Sequence, residues 1–420
     1  MNLLLATDAF PPICGGSGWS TFELARGLRA RGHAVIVVQP VPGRASGVEE
    51  RRYEGLRVLR YGTAAPNVPY VRNYYKNERL YAKLERFLSD LIARERIDIV
   101  HGQHVLTCLP SIAAAHRQKI PAVCTVRDYW PVCYWSDLIH TVNGAELCPA
   151  CSSGMMTQCI RPHAGAAWPV ALPMIPYMRR NLSRKRRGLA AAEAVIAVSS
   201  RMAADLRARA PELAASRIEV IPNPVDVASL TEEARRTSPR LEGPYALYVG
   251  KLAPNKGTAR LVDIVERARL PWPLVVVGDG PERDVIERAA QRSHQDVRLV
   301  GWAGREDTIA WLAHAAVLVF PSRGPESLSR VLLEASALGV AIAAMNTGGT
   351  ADIVDHERTG LLSDTPEQLA RDVERLVSDQ PLRETLGAAA RRKASALFDS
   401  PAVVQRIDGL YAELSRERRG

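Results

Sequence analysis

The sequence predicts two α/β domains, each built on a doubly wound parallel sheet, from three observations. Short, unbroken apolar runs alternate with helical patterns along the 420 residues. Continuous apolar strands separated by helices mark βαβ units and a parallel sheet covered on both faces. The alternation stops around Pro222-Asn223-Pro224 and then restarts. A chain of this length also suits two to three domains.

Residues 3–6 (Leu-Leu-Leu-Ala) read as a buried first strand. Gly15-Gly16-Ser17-Gly18 forms a flexible turn, residues 21–31 a helix, and Gly32 stops it. Strands follow at 34–38, 97–100, 122–126 and 194–198. Ser199-Ser200 caps a helix running to about Arg209. Residues 218–221 give one more strand. Pro222 and Pro224 can continue neither a helix nor a central strand. A loose, polar stretch at 229–243 follows, so the linker is placed here. The second half repeats the pattern, with strands at 245–249, 274–277, 297–299, 317–320 and 340–344. Its helices are expected at 259–269, 283–292, 307–315 and 329–338. An amphipathic helix at 403–415 follows Pro401. The expected division is residues 1–222, with a Cys-rich insert at about 130–190, then 223–400, then a terminal helix in 401–420. Ligands bind at the carboxyl ends of such sheets, and two such domains facing each other share one cleft.

Hydrophobic residues make up 47% and charged residues 24%, which excludes disorder, collagen and coiled coil as the main character. No apolar run reaches the roughly 18 residues needed to span a bilayer. The start carries no basic region before its short apolar run, unlike a signal peptide. A cytoplasmic protein, or one peripheral at the inner membrane face, is expected. The net charge of +10 is unevenly placed: 29 Lys and Arg oppose 17 Asp and Glu through Pro222, and 26 oppose 28 afterwards. A one-sided positive field points to phosphate, nucleic acid or a membrane surface, and an Arg-rich proteome is the bland alternative.

The most informative segment runs from Pro321 to Gly339. Glu326 stands in a loop after a strand, and Glu334 stands eight residues on, inside the next helix. Amides of Ser327, Leu328 and Ser329 at that helix's start form an anion site. A carboxylate beside an anion is repelled, so Glu326 is expected to face sugar hydroxyls. A dipole-complementing Glu plus a solvated Glu is the plain alternative. Lys251 and Lys256 fall in a glycine-bounded strand–helix loop, where two ammonium groups can neutralise a diphosphate without a metal ion. Gly278-Asp279-Gly280 and Gly348-Gly349-Thr350 add flexible strand-end turns; a lone Gly-x-Gly is weak, and no Walker A motif is present.

These pieces, in this order, resemble the retaining glycosyltransferases of family 4, which have the GT-B fold. The resemblance rests on Gly15-Gly16, the Val220 to Asp226 junction, the 250–257 loop, Val277-Gly-Asp-Gly-Pro281, Glu326 to Glu334, Gly339, and Thr359-Gly360-Leu361-Leu362. It implies that Glu326 holds donor-sugar hydroxyls and Glu334 the ribose. It implies that Lys251 and Lys256 stabilise the leaving diphosphate, with phosphate cradled by Gly15, Gly16 and residues 327–329. It further implies front-face attack, with the leaving oxygen taking the acceptor's proton, and no catalytic cofactor. The donor would be a nucleotide-diphosphate sugar and the acceptor a glycan or lipid-linked molecule, in cell-surface polysaccharide or glycoconjugate synthesis. The terminal helix would return to the first domain. One departure stands out. Arg127-Asp128 replaces the family's frequent His-Asp, and Arg cannot act as a general base but can bind phosphate. Arg127 therefore marks either recognition of a charged acceptor or donor phosphate, or an altered activity. Lys251 also replaces the commoner Arg, and Ser327-Leu328 the frequent Phe-Gly. His104 is a further acceptor-side candidate, with a structural loop His as the alternative.

Cys133, Cys148, Cys151 and Cys159 fall in one segment whose Cys-x-x-Cys pair suits a structural zinc. Plain thiols, a disulfide and an iron–sulfur site are the alternatives. Cys14, Cys108 and Cys124 read as scattered buried thiols. After the segment, aromatic and apolar residues from Trp168 to Tyr177 precede six basic ones between Arg179 and Arg187. Tyr70, Tyr74, Tyr75 and Lys76 form a similar stretch. Both suit an anionic membrane surface, and a solvated helix face is the alternative. Competing readings of the whole chain are a nucleotide-sugar epimerase of the same fold, a phosphorylase, a nucleic-acid binder and a non-catalytic carbohydrate binder. Nothing marks the pyridoxal lysine of a phosphorylase. A nucleic-acid binder leaves Glu326 and Glu334 unexplained, so no nucleic acid is expected.

Overall fold

The computed structural model describes residues 1–43, 46–64, 74–141 and 147–418. The chain divides into two compact units. The first comprises Met1–Ser136, Pro173–Pro224 and Ser400–Gly420, and the second Asp137–Leu172 and Val225–Asp399.

The first unit carries an eight-stranded sheet. Its strands are β1 (Asn2–Ala6), β2 (Ala34–Pro42), β3 (Gly47–Tyr53), β4 (Leu56–Thr63), β5 (Ile99–Gly102), β6 (Ala122–Val126), β7 (Ala194–Ala197) and β8 (Ile218–Val220). They lie in the order β3-β4-β2-β1-β5-β6-β7-β8. All pairs are parallel except β3 with β4. The antiparallel β3–β4 hairpin is absent from the sequence reading. Its outer strand is Gly-Val-Glu-Glu-Arg-Arg-Tyr, largely exposed at the sheet edge, and so shows no apolar run. The core packs helix Gly16–Ala30 and helix Ser400–Glu417 against β1 and β2. Val403, Val404, Ile407, Leu410, Tyr411 and Leu414 are its buried face. Tyr411 Oη lies 2.5 Å from Nδ1 of the buried His101 on β5.

The second unit carries six parallel strands: β9 (Ala246–Val249), β10 (Leu274–Val277), β11 (Val297–Gly301), β12 (Val317–Phe320), β13 (Ala341–Met345) and β14 (Leu361–Ser363). Their order is β11-β10-β9-β12-β13-β14. The stretch read as loose at 229–243 in fact holds most of helix Val227–Arg235. The Asp226 carboxylate caps it by accepting from Ser229 N at 2.7 Å, and Val227 and Leu230 are buried. Each sheet has a central pair where the winding reverses: β1 beside β5, and β9 beside β12. Loops leaving these pairs at their carboxyl ends are where doubly wound sheets gather ligand groups.

Candidate active site

In the second unit, two loops leave adjacent strands at the switch point. The loop after β9 makes a short turn at Pro254–Lys256 and ends on Gly257 at φ +67. A Cβ there would lie 1.9 Å from the Pro321 carbonyl oxygen, so only glycine lets the two loops touch. The amides of Arg323 and Gly324 donate to Asn255 O at 3.0 and 2.7 Å, tying the loops together. This seam brings Lys256 to Glu326, with Nζ 2.6 Å from Oε1. The Ser322 hydroxyl donates to the same oxygen. Glu326 is nearly buried, at 9% side-chain exposure, while Lys256 keeps 32%. Both contacts among the described residues fall on Oε1, so Oε2 keeps its acceptor capacity.

The loop after β13 closes over Glu326 from the other side. Gly348 adopts φ +55, and its neighbour Gly349 donates to Glu326 O at 2.6 Å. Past Glu326, Ser327 is half-buried, and Leu328 and Ser329 are buried. They lead into helix Arg330–Leu338, which Ser329 begins without a side-chain cap. Uncapped amides at a helix start favour an anion. Lys251 lies in the same loop as Lys256 and is exposed, its carbonyl accepting from Tyr248 Oη at 3.0 Å.

Glu334 is buried in this helix, with two guanidinium groups on its Oε1: Arg330 Nε at 2.8 Å and Arg305 Nη1 at 3.0 Å. Burial would push its carboxyl up, but the charges and hydrogen bonds of Arg330 and Arg305 hold it below the ordinary carboxylate range. Arg330 and Arg305 are absent from the sequence reading. The i, i+4 spacing of Arg330 and Glu334 was the available signal, whereas Arg305 lies 29 residues away and is brought in by the fold.

In the first unit, the loops after β1, β5 and β6 carry the other candidates. Gly15 caps helix Gly16–Ala30, and both glycines are exposed. His104 is buried, with Nδ1 3.1 Å from the Thr7 hydroxyl. Its Nε2 is buried without a partner among the described residues. Burial, and then the Arg127 charge, lower its pKa to about 3, so the ring is neutral. Arg127 is held from both sides: Nε donates to Asn223 Oδ1 at 2.8 Å, and Nη1 donates to Gln103 O at 3.2 Å and to Gln103 Oε1. Asp128 accepts from Trp130 N at 2.9 Å. Burial raises Asp128 to about 6 against the opposing pull of that amide and of Lys185.

Cys133, Cys148 and Cys159 are buried and Cys151 is half-buried. Thiols of Cys148 and Cys159 donate to the carbonyls of Ala150 and Met156 at 3.3 and 3.4 Å. Among the described residues, no group of three or more His, Cys, Asp or Glu is arranged to hold a metal. The basic run lies on helix Ile175–Ala190. Arg184 pairs with Glu78 at 2.9 Å, Lys185 is buried beside Tyr134, and Arg186 donates to Pro131 O at 2.7 Å. Arg179, Arg180 and Arg187 are exposed. Tyr74 and Tyr75 meet edge to face at 6.4 Å, while Tyr70 lies outside the described residues. No helix among the described residues is long and apolar enough to cross a membrane.

Two family models match the chain: Glycosyltransferase Family 4 over residues 14–229 and Glycosyl transferases group 1 over residues 231–393. A glycogen synthase of Mycobacterium tuberculosis is 26% identical over 448 aligned positions, covering 100% of this chain and 96% of the relative. A D-inositol 3-phosphate glycosyltransferase of Jonesia denitrificans is 27% identical, covering 90% and 87%. The Anabaena protein Alr3699/HepE, solved in complex with UDP-glucose, aligns at TM-score 0.65 and 18% identity over 98% of this chain and 99% of that one.

Proposed function

The chain belongs to glycosyltransferase family 4, with the GT-B fold, and from that premise we propose how it moves sugar from a nucleotide-sugar donor. The donor binds the second unit. Ser327, Leu328 and Ser329 amides receive its phosphate, Glu334 its ribose, and Glu326 Oε2 the sugar hydroxyls. Lys251 and Lys256 carry the charge that builds on the diphosphate as its bond to the anomeric carbon breaks. Stabilising that leaving charge is the largest service a fixed site can offer. The acceptor oxygen bonds the same carbon on the same face, and its proton passes to the leaving phosphate oxygen, so configuration is retained. No metal ion is needed, and transfer should continue in a chelator.

Acceptor binding falls to the first unit, at His104, Arg127 and Asp128. The neutral His104 offers a buried, unfilled ring nitrogen to a hydroxyl. The acceptor is a glycan or a lipid-linked molecule, in polysaccharide or glycoconjugate synthesis. Three outward arginines on helix Ile175–Ala190 support contact with an anionic membrane.

The observation that carries this reading is the Lys256–Glu326 contact at 2.6 Å, beside the start of an uncapped helix. A cation for diphosphate and a carboxylate for hydroxyls stand together where a nucleotide sugar presents both. The test is thermal-shift binding of UDP, GDP, ADP and their sugar conjugates to wild type and Glu334→Ala. One nucleotide class should raise the wild-type Tm by mass action, with a smaller rise in the variant. No shift at millimolar ligand would sink the reading.

A further inference from the structure

We propose that Arg330 and Arg305 are positioning residues for the donor nucleotide, fixing Glu334 as an oriented carboxylate for the ribose hydroxyls. This rests on the reading of Glu334 as the ribose acceptor. A carboxylate grips a diol only if it is ionised and its oxygens point outward from a fixed rotamer. Glu334 is 6% exposed. In such a place an isolated carboxyl takes up a proton and becomes a mixed donor and acceptor.

The structure solves this from two directions. Arg330, one turn back on the same helix, reaches Oε1 with Nε at 2.8 Å. Arg305, at the start of helix Arg305–Ala313, reaches the same oxygen with Nη1 at 3.0 Å. Two donors on one oxygen, from separate elements, fix both the side-chain torsion and the carboxylate plane. A third element completes the charge pattern. Glu233 on helix Val227–Arg235 lies 3.5 Å from Arg305 Nη2. Glu233 is itself raised, by burial first, with Arg305 pulling down and Glu334 and Glu306 pushing up. The set therefore holds two guanidinium groups facing Glu334, with Glu233 sharing one of them. Glu334 is held low by Arg330 and Arg305 against its burial. Arginine suits the task because its planar, permanently charged fork fixes direction as well as charge.

The test measures the affinity of UDP, GDP and ADP by calorimetry at pH 8 and pH 5.5. It compares wild type, Arg330→Met, Arg305→Met, Arg330→Lys, Arg305→Lys and Glu334→Gln. The 2′,3′-dideoxy form of the tightest nucleotide controls for titration of the ligand's own phosphate. Wild-type affinity, corrected by that control, should change less than about twofold between the two pH values, because Glu334 stays ionised. In each Met variant the corrected affinity should fall about tenfold on acidification, as the carboxyl gains a proton. Arg330→Lys should restore part of the flat profile. Met variants matching wild type in both affinity and pH profile would overturn the proposal. A variant whose circular dichroism departs from wild type is judged by its Lys counterpart. If the Lys versions also fail to fold, the pair serves stability and the proposal falls. Failure of the underlying reading looks different: Glu334→Gln, or the dideoxy nucleotide, would then bind as tightly as the native combination.

Discussion

Replacing Gly348 with Ala tests whether the seam around Glu326 sets the site's geometry. Gly348 sits at φ +55, where an L side chain costs about 1 kcal/mol. The new Cβ would lie 2.1 Å from Glu326 O, 2.6 Å from its N and 2.8 Å from its C. All three are backbone atoms and cannot rotate aside. The loops must part by about 1 Å before this becomes an ordinary contact. That stretches the Gly349 N–H bond to Glu326 O, now 2.6 Å, and forfeits about 1 kcal/mol more. The expected loss of stability is about 2–4 kcal/mol, read by urea unfolding. Activity should suffer more than stability implies. A displacement of about 1 Å at a reacting centre costs roughly 100-fold, measured as nucleotide diphosphate released from the sugar donor at a temperature where the variant is folded. Gly409→Ala is the control. It lies in helix Ser400–Glu417 with nothing within 4 Å of the added Cβ, and should be neutral or stabilising. A Gly348→Ala protein with wild-type stability and turnover would refute the seam as the device that places Glu326.

Three further outcomes follow from the same geometry. Lys256→Met should lower kcat/KM by roughly 100- to 1,000-fold, with partial rescue by Arg; an unchanged kcat would remove Lys256 from leaving-group stabilisation. His104 carries a pKa of about 3 in the fold against an ordinary value of 6.5. Below pH 6.5 the unfolded chain takes up the proton that the fold refuses, so stability drains as pH falls toward 3. His104→Gln should flatten that part of the Tm-versus-pH curve, and an unaltered curve would contradict a neutral, buried ring. Tyr411→Phe strips His101 Nδ1 of its partner at 2.5 Å in a fully buried setting. It should cost about 1–3 kcal/mol in urea unfolding, whereas a loss below 0.5 kcal/mol or so would mean that water or another group satisfies the ring.

Much of the fold was legible because its central strands are covered on both faces. Residues 274–277 and 317–320 are unbroken apolar runs, residues 122–126 are interrupted only by the buried Thr125, and the sequence bounds match the observed strands. The exposed hairpin strand Gly47–Tyr53 was illegible for the converse reason, since its charged residues face water on an edge. Helix Val227–Arg235 was hidden by its polar composition. Its cap at Asp226 and the Glu232–Arg236 pair at 3.0 Å are local signals too weak to outweigh the neighbouring prolines. Motif reading selected Lys256 and Glu326 separately, as a loop lysine and a helix-entry carboxylate. That they touch depends on β9 and β12 being neighbours, although 70 residues separate the two side chains.

Charge counted by half and charge paired at the site are different quantities. The basic balance of the first half suggests an anionic partner, and three of its arginines are engaged internally. Arg127 is held by Gln103 and Asn223, Arg184 by Glu78, and Arg186 by Pro131 O. In the second unit, where the balance is nearly even, cations meet the very carboxylates assigned to the donor: Lys256 on Glu326, and Arg330 with Arg305 on Glu334. A carboxylate so accompanied can stand near a diphosphate without repelling it, because local neutrality is already built in. Net charge by domain reports the far field. On the proposed reading, the close pairs that bear on the donor, Lys256 with Glu326 and Arg330 with Glu334, lie in the half with almost no net charge.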